Sequence, residues 1–490
     1  MIAFQARTRP NAVAACAVGE PELTFAGIHT RSLALTDALR SHGVGPGDRV
    51  ALLLPTGFEA GVLTGLAMAA AAAVPLDPES PPGWLASAGN RLRPALAIVA
   101  PGMEAIAGPL GCPAVALLPG LRLPTAAAGA RAAAPAAPAA PGPDDPGMIL
   151  ATSGSTGASR LVPRHHAQYL DVLAPLSAGL ALHPAARFLS AAKPFHALGA
   201  APFIKAVAAG ACTVFARSSA PADILAAISA FRPTATNLPP ATYDSLLEVT
   251  GGAPLPPFER ILSSAAPFPP TAARAAETLF GAPLIRDYGL SEAICLGFAP
   301  PNDGYSLPTY RPLLPGSIAI AAEDGTFLPP GETGEIVARG PHVFHGYIGG
   351  DGSEFFPGGW FRTGDLGVMA GDGSFAVTGR LKHLISRGGV KISPAEIEQA
   401  LHAHPDIAAA AAIPVPHPSL GEDIVAVIVL RPGAAPAARE IRRWLLDRLT
   451  PSHTPRSILF RDHLPMTSSA KLDRMALIAE IAASSEVHDR

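Results

Sequence analysis

The sequence is short of charge, of cysteine and of aromatic side chains, and each shortage excludes something. Charged residues make up 15% of the 490-residue chain and aromatics 6%; 36 Lys and Arg nearly balance 39 Asp and Glu, for a formal net charge of −3. No basic stripe is left to meet a polyphosphate backbone, and no lysine-rich amphipathic stretch addresses a lipid surface, so neither nucleic acid nor membrane is expected as a partner. The four cysteines, Cys16, Cys112, Cys212 and Cys295, lie far apart with no CxxC pair. That excludes a disulfide framework and a cysteine zinc site, and it fits a reducing compartment. The longest apolar run, Gly61 to Leu76, is too short to span a bilayer, and the opening MIAFQARTRP lacks the apolar core of a signal peptide. The expected location is cytoplasmic.

What is present is apolar bulk. Hydrophobic residues are 49% of the chain, and this length is too great for one core, so two or more domains are expected. The runs DRVALLLP (Asp48 to Pro55), PALAIVA (Pro94 to Ala100) and GMIL (Gly147 to Leu150) are brief and apolar, as strands buried on both faces of an α/β sheet are, with alanine-rich helical stretches between them. Pro124 to Gly147 is low-complexity Pro, Ala and Gly, which predicts a flexible surface connection. Gly and Asp turn signals then mark a β-rich subdomain over Pro312 to Arg380. Beyond it, Ser393 as N-cap, Pro394 at the first helical position and Glu396 three residues after the cap form a capping-box pattern. DIVAVIVL reads as a strand, and REIRRWLLDRL puts Ile441, Trp444 and Leu445 on one helical face.

TSGSTGASR, Thr152 to Arg160, follows the GMIL run. Glycines let backbone N–H groups converge on an anion and the hydroxyls add donors, so Thr152 to Gly157 is chemically a phosphate cradle; read alone, it is equally a polar turn after a strand. The P-loop pattern is not matched, because Gly154 and Gly157 are too close and the next basic residue is Arg160. Four further stretches follow in order: YGLSE (Tyr288 to Glu292), GETGEIVARG (Gly331 to Gly340), RTGDL (Arg362 to Leu366) with GRLKHLISRGGVKISPAEIE (Gly379 to Glu398), and PMTSSAKLDR (Pro465 to Arg474). With these motifs the chain resembles, over almost its whole length, the adenylate-forming superfamily: acyl- and aryl-CoA synthetases, peptide-synthetase adenylation domains and firefly luciferase.

The resemblance implies an α/β fold: a large N-terminal domain, residues 1–380, of two α/β sheet subdomains plus a β-rich subdomain, and a small mobile α+β C-terminal domain, residues 381–490. It implies a reaction in which a carboxylate attacks the α-phosphate of ATP, and the acyl-adenylate then passes its acyl group to a thiol. Thr152, Ser153, Gly154, Ser155, Thr156, Gly157 and Arg160 would hold the pyrophosphate end. Ser291 would contact the α-phosphate, and Glu292 with Thr152 would bind Mg²⁺. Tyr288 would stack on adenine, with Ala265, Asp287 and Gly289 also at the nucleotide. Asp365 would accept the ribose hydroxyls with help from Arg380; in isolation it also reads as a turn aspartate. Lys471 would be the catalytic cation, although a lone lysine is by default a solvated surface residue.

His196, in KPFHALG, would gate the acyl pocket or position the acid, or else is a satisfied core histidine. NLPPATYD (Asn237 to Asp244) and SSAAPF (Ser263 to Phe268) would line that pocket. Nothing resembles the FDxS aspartate that secures an α-amino group, so the expected substrate is a small carboxylic acid lacking an α-amine. Arg286 would either pair with a second carboxylate or sit on the surface. Lys382 occupies the hinge position, and Gly388 and Gly389 would admit a pantetheine arm or simply make a turn. The chain stops soon after Lys471, so the thiol is expected from outside: free coenzyme A, with a carrier protein as the alternative. The oligomeric state is left open, a homodimer included. Arg160, Ser291, Ala470 and His383 stand where the family more often has lysine, threonine, glycine and an acidic residue.

Overall fold

In a computed structural model, residues 1–126, 141–152, 160–264, 268, 270–301, 308–467 and 472–484 are described. Most of the Pro124 to Gly147 segment lies outside them. The fold is mixed α/β, and the chain divides into two compact units. One comprises 1–264, 275–298 and 339–355; the other comprises 265–274, 299–338 and 356–490.

The first unit contains a six-stranded sheet whose neighbours run Ala114–Ala116, Leu96–Val99, Arg49–Leu53, Ala72–Pro75, Pro146–Thr152 and Arg160–His165. Its strands are parallel except the last, which pairs antiparallel with Pro146–Thr152. The three runs read as buried strands all fall in it, because a strand covered on both faces has no polar face to alternate with. Leu53, Val74, Val99 and Ile149 pack with Leu85 and Leu92 of the helix Pro82–Leu92, and each fully buried aliphatic of this kind stabilises by about 1.5–3 kcal/mol. The helix Gly57–Ala67 starts where Thr56 accepts a hydrogen bond from the Glu59 amide at 3.2 Å, which satisfies one of its free N–H groups.

A second sheet in this unit runs Leu284–Leu290, Arg260–Ser263, Ala235–Leu238, Arg187–Ser190, Cys212–Phe215, Val13–Ala17 and Leu23–Thr24. It is parallel apart from the two-residue edge strand. In a parallel α/β sheet the loops after the strand C-termini are where ligands bind, and the Tyr288 motif stands at the C-terminal end of Leu284–Leu290.

The second unit opens with the expected β-rich stretch, an antiparallel sheet of Ile318–Ala321, Thr333–Ala338, Trp360–Met369, Phe375–Arg380 and Thr309–Pro312. A five-stranded sheet follows, ordered Val390–Ile392, Ile385–Arg387, Gly421–Leu430 and Ile407–His417, with Ser457–Phe460 parallel to Gly421–Leu430. Successive side chains of a strand point to opposite faces. Ile424, Ala426 and Ile428 therefore pack with Ile397, Leu401, Ile441 and Leu445 of two helices, while Val425 and Val427 pack with Leu477 and Ile481 of a third.

The helix Pro394–His402 begins at Ser393 with Pro394 at its first turn, as read, but the capping hydrogen bond is absent. The Ser393 hydroxyl instead donates to the Thr378 carbonyl at 2.8 Å. It does so beside Gly379, where a Cβ would overlap that hydroxyl. A buried hydroxyl takes the partner that tertiary packing supplies, and local capping loses.

Candidate active site

Ser291 and Glu292 are the two-residue link between the strands Leu284–Leu290 and Ala293–Ala299. The link is held from both ends. Buried Arg164 donates from Nη2 to the Leu290 carbonyl at 3.0 Å, the Phe344 amide donates to the Glu292 carbonyl at 2.8 Å and the Ile294 amide to His342 at 3.1 Å.

The Glu292 side chain is positioned by a residue that the sequence motifs did not single out. Tyr347 donates its hydroxyl to Glu292 Oε1 at 2.6 Å and accepts from Arg160 Nη1 at 3.2 Å. The Arg160 guanidinium carbon also lies 5.0 Å from the Tyr347 ring centroid. Burial, then the charge and hydrogen bond of Glu292, push the Tyr347 phenol well above its ordinary pKa, so it keeps its proton. A neutral phenol thus holds a carboxylate and a guanidinium in one row without letting them collapse into an ion pair. That row presents an acceptor for a metal ion and a donor for phosphate oxygens.

Asp287, just before Tyr288, accepts a hydrogen bond from Asn237 Nδ2 at 3.1 Å, and Ser264 donates to Asn237 Oδ1 at 2.9 Å. Burial raises the Asp287 carboxyl from its ordinary value, against the opposing pull of Lys205. Lys205 was missed by motif reading. It is the only charged residue in the helix Pro202–Ala209, and a lysine inside PFIKAVAA was itself a visible signal. Burial pushes its ammonium down while Asp287 favours its charge. Arg286 is buried at 5% exposure, which removes the surface alternative. His196 precedes the short helix Ala197–Ala200 and meets the Phe195 ring edge-on at 4.9 Å between centroids.

In the second unit Asp365 is buried and forms an ion pair with Arg380, opposite which the strand register places it. The turn leading into Asp365 is braced by Glu335, 4% exposed, which accepts from Arg362 Nε at 3.0 Å and from the Gly364 amide at 2.9 Å. Thr363 donates to the Ile336 carbonyl at 2.6 Å and accepts from the Asp365 amide at 3.1 Å. Gly388 and Gly389 join the strands Ile385–Arg387 and Val390–Ile392 with φ of 58° and 85°. Two consecutive left-handed residues are what a tight two-residue hairpin requires, and glycine adopts them without strain. Lys382 lies in the short 3₁₀ turn Leu381–His383 between the two sheets.

Thr152 ends its strand paired with Arg160. Ser153, Gly154, Ser155, Thr156, Gly157, Ala265 and Lys471 lie outside the described residues. Among the described residues, no three His, Cys, Asp or Glu side chains converge to hold a metal by themselves. One carboxylate and one hydroxyl, Glu292 and Thr152, suit Mg²⁺, which keeps most of its shell as water and phosphate oxygens. The residues present fit that ion.

The AMP-binding enzyme family matches residues 2–348, and the AMP-binding enzyme C-terminal domain matches residues 396–471. A salicyl-AMP ligase / salicyl-S-ArCP synthetase of Mycobacterium tuberculosis is 30% identical over 491 residues, covering 94% of this chain and 86% of the relative. A feruloyl-CoA synthase of an Amycolatopsis species is 32% identical over 489 residues, covering 96% of each chain. Among solved structures, ATP-bound MatB from Rhodopseudomonas palustris is similar with a TM-score of 0.84 at 27% identity, covering 98% of this chain and 99% of that one.

Proposed function

This chain belongs to the AMP-binding enzyme family, and from that premise we propose that it works as an ATP-dependent acid:CoA ligase in two steps. In the first, a carboxylate oxygen attacks the α-phosphorus of ATP, the bond to the β-phosphate breaks, and pyrophosphate leaves an acyl-adenylate. In the second, the thiol of coenzyme A loses its proton and attacks the acyl carbon, and AMP departs. The first step concentrates negative charge at phosphorus, so the residues that serve it are donors and cations.

Tyr288 stacks on adenine. Asp365, fixed by Arg380, takes the ribose hydroxyls. Ser291 donates to the α-phosphate, and Arg160 with the Thr152 to Gly157 loop takes the pyrophosphate end. Lys471 bridges the reacting carboxylate and the phosphate oxygens, its long stem letting one ammonium reach both. Magnesium, when bound through Glu292 and Thr152, neutralises triphosphate charge. His196 positions the acid. The domain boundary falls at residues 380 and 381; the C-terminal domain turns about Lys382 between the steps and brings Gly388 and Gly389 to the pantetheine arm.

The observation that carries this reading is the row Arg160, Tyr347, Glu292, which keeps opposite charges apart and oriented for a metal-bound polyphosphate. The test is acid-dependent exchange of labelled pyrophosphate into ATP; no exchange with any aryl, fatty or dicarboxylic acid rejects the reading. Lys471→Ala is expected to lower exchange by about 100-fold or more, as removal of a transition-state donor does, while ATP still binds. The relative described as a salicyl-S-ArCP synthetase favours one alternative, transfer to a carrier protein. AMP release with coenzyme A compared against a phosphopantetheinyl carrier separates the two acceptors.

A further inference from the structure

A buried charge is normally matched by another, because an unpaired ion taken out of water is costly. Arginines of the second unit follow that rule. Arg474 donates to Glu398 at 2.5 Å and to the Ala412 carbonyl at 2.6 Å, and Arg387 pairs with Asp423 at 2.9 Å. Arg164 in the first unit departs from it. The residue is 3% exposed. Its Nη2 donates to the Leu290 carbonyl at 3.0 Å, while Nε and Nη1 are buried with no hydrogen-bond partner among the described residues. No acid forms an ion pair with it among those residues either. Burial opposes the charge, but a guanidinium keeps its proton inside proteins. The cation is therefore buried, fixed and unmatched.

Its position relates the charge to the reaction. Alternate residues of a strand share a face, so Arg160, Val162 and Arg164 of the strand Arg160–His165 lie on the same face. Arg160 meets the Tyr347 hydroxyl that holds Glu292. Arg164 holds the carbonyl of Leu290, the residue before Ser291. One strand thus brings two cations to one two-residue link. Arg160 is exposed, and water screens it; Arg164 lies in the interior, where a charge is screened far less. An acid paired with Arg164 would cancel its field at the link, and among the described residues none does.

We propose, resting on the ligase reading above, that Arg164 is a positioning residue for adenylation: it fixes the Ser291–Glu292 link through the Leu290 carbonyl, and its unmatched charge stabilises the negative charge that builds at the α-phosphate as the carboxylate attacks. Nε and Nη1 are closed off from solvent, so the charge acts through space and not by contact. Charge already in place needs no reorganisation when the reaction occurs. The same arrangement leaves the fold less stable than an apolar side chain at this position would, as sites arranged for activity often are.

The test compares Arg164→Met, Arg164→Gln and Arg164→Lys in the full chain, by pyrophosphate exchange and by urea denaturation. The acid is whichever aryl, fatty or dicarboxylic acid gives the fastest wild-type exchange, beginning with benzoate, octanoate and succinate. Arg164→Met is expected to keep or raise the urea midpoint, since the carbonyl left unbonded costs less than the charge removed. It is expected to lower kcat for exchange by about 10- to 100-fold. Arg164→Lys restores the charge and should recover most of that loss. Arg164→Gln can still donate to the Leu290 carbonyl but carries no charge, and should recover little. A lower urea midpoint for Arg164→Met overturns the proposal, because it makes Arg164 a structural brace. Equal recovery by the Gln and Lys variants overturns it too, as does an unchanged kcat in Arg164→Met. Absence of wild-type exchange with every such acid overturns the ligase reading and this inference with it, whereas exchange that the three substitutions leave unaltered overturns the inference alone.

Discussion

Tyr347 does for Glu292 and Arg160 what neither could do for the other: it holds each in place while leaving its charge unspent. Removing the hydroxyl should let the carboxylate swing toward the guanidinium. Tyr347→Phe is expected to lower exchange by about tenfold, in line with the ~1.5–3 kcal/mol of a hydrogen bond to a charged group, and to raise the Mg²⁺ concentration needed for half-maximal rate. A magnesium titration superimposable on the wild type would refute the assignment. Glu292 was legible because it sits inside YGLSE. Tyr347 was not, because its importance comes from two partners 55 and 187 residues away in sequence, a proximity that only folding creates. Lys205 stood between: its charge in an apolar helix was visible, but that Asp287 comes close enough to act on it was not. For Arg286, sequence left two options, and burial removed one of them.

At the scale of elements, the hairpin of Thr333–Ala338 and Trp360–Met369 is organised around one buried acid. Glu335 takes the Arg362 guanidinium and the Gly364 amide together, so the turn before Asp365 is fixed from the neighbouring strand. Glu335→Ala leaves the amide and a partly exposed arginine without their acceptor. The expected cost is about 2 kcal/mol, below that of a fully buried pair because Arg362 is 35% exposed. Denaturant midpoints measure that cost. Since the slackened turn carries Asp365, KM for ATP should rise in parallel, and a destabilised variant with unaltered KM would disconnect the brace from the nucleotide. Strands such as Arg49–Leu53 and Leu96–Val99 were legible from their apolar runs. The Ser393 cap was not: the letters fit a capping box, yet the hydroxyl turned to Thr378 because a strand passes within reach.

For the whole molecule, acid is the expected weakness, and histidine in both units is the cause. His342 is fully buried, and burial, with Arg164 adding to it, pushes its pKa down to about 4. His402 falls to about 4 through burial and then Arg431, and its Nε2 must stay unprotonated to accept from the Ala410 amide at 3.1 Å. Between the ordinary histidine value near 6.5 and about 4, only the unfolded chain binds these protons. Stability is therefore complete above pH ~6.5 and declines as pH falls toward 4, each histidine contributing at most ~3 kcal/mol. Chemical denaturation at pH 7.5 and pH 5 measures the loss, and His402→Gln should shrink it; identical stability at both pH values would contradict the reading. Legibility at this scale was high for the fold, since ordered motifs carry topology, and low for the two-unit division, in which residues 339–355 belong with the first unit although the chain reaches them from the second. The bond from Ser393 to Thr378 joins chain on either side of Lys382. The swivel about Lys382 proposed above would have to undo that stitch, and one neutral hydrogen bond is worth about 1 kcal/mol. On the two-step reading proposed above, that bond adds little to the cost of a change of pose, since a reactant favouring one pose by little more than tenfold in affinity offsets it.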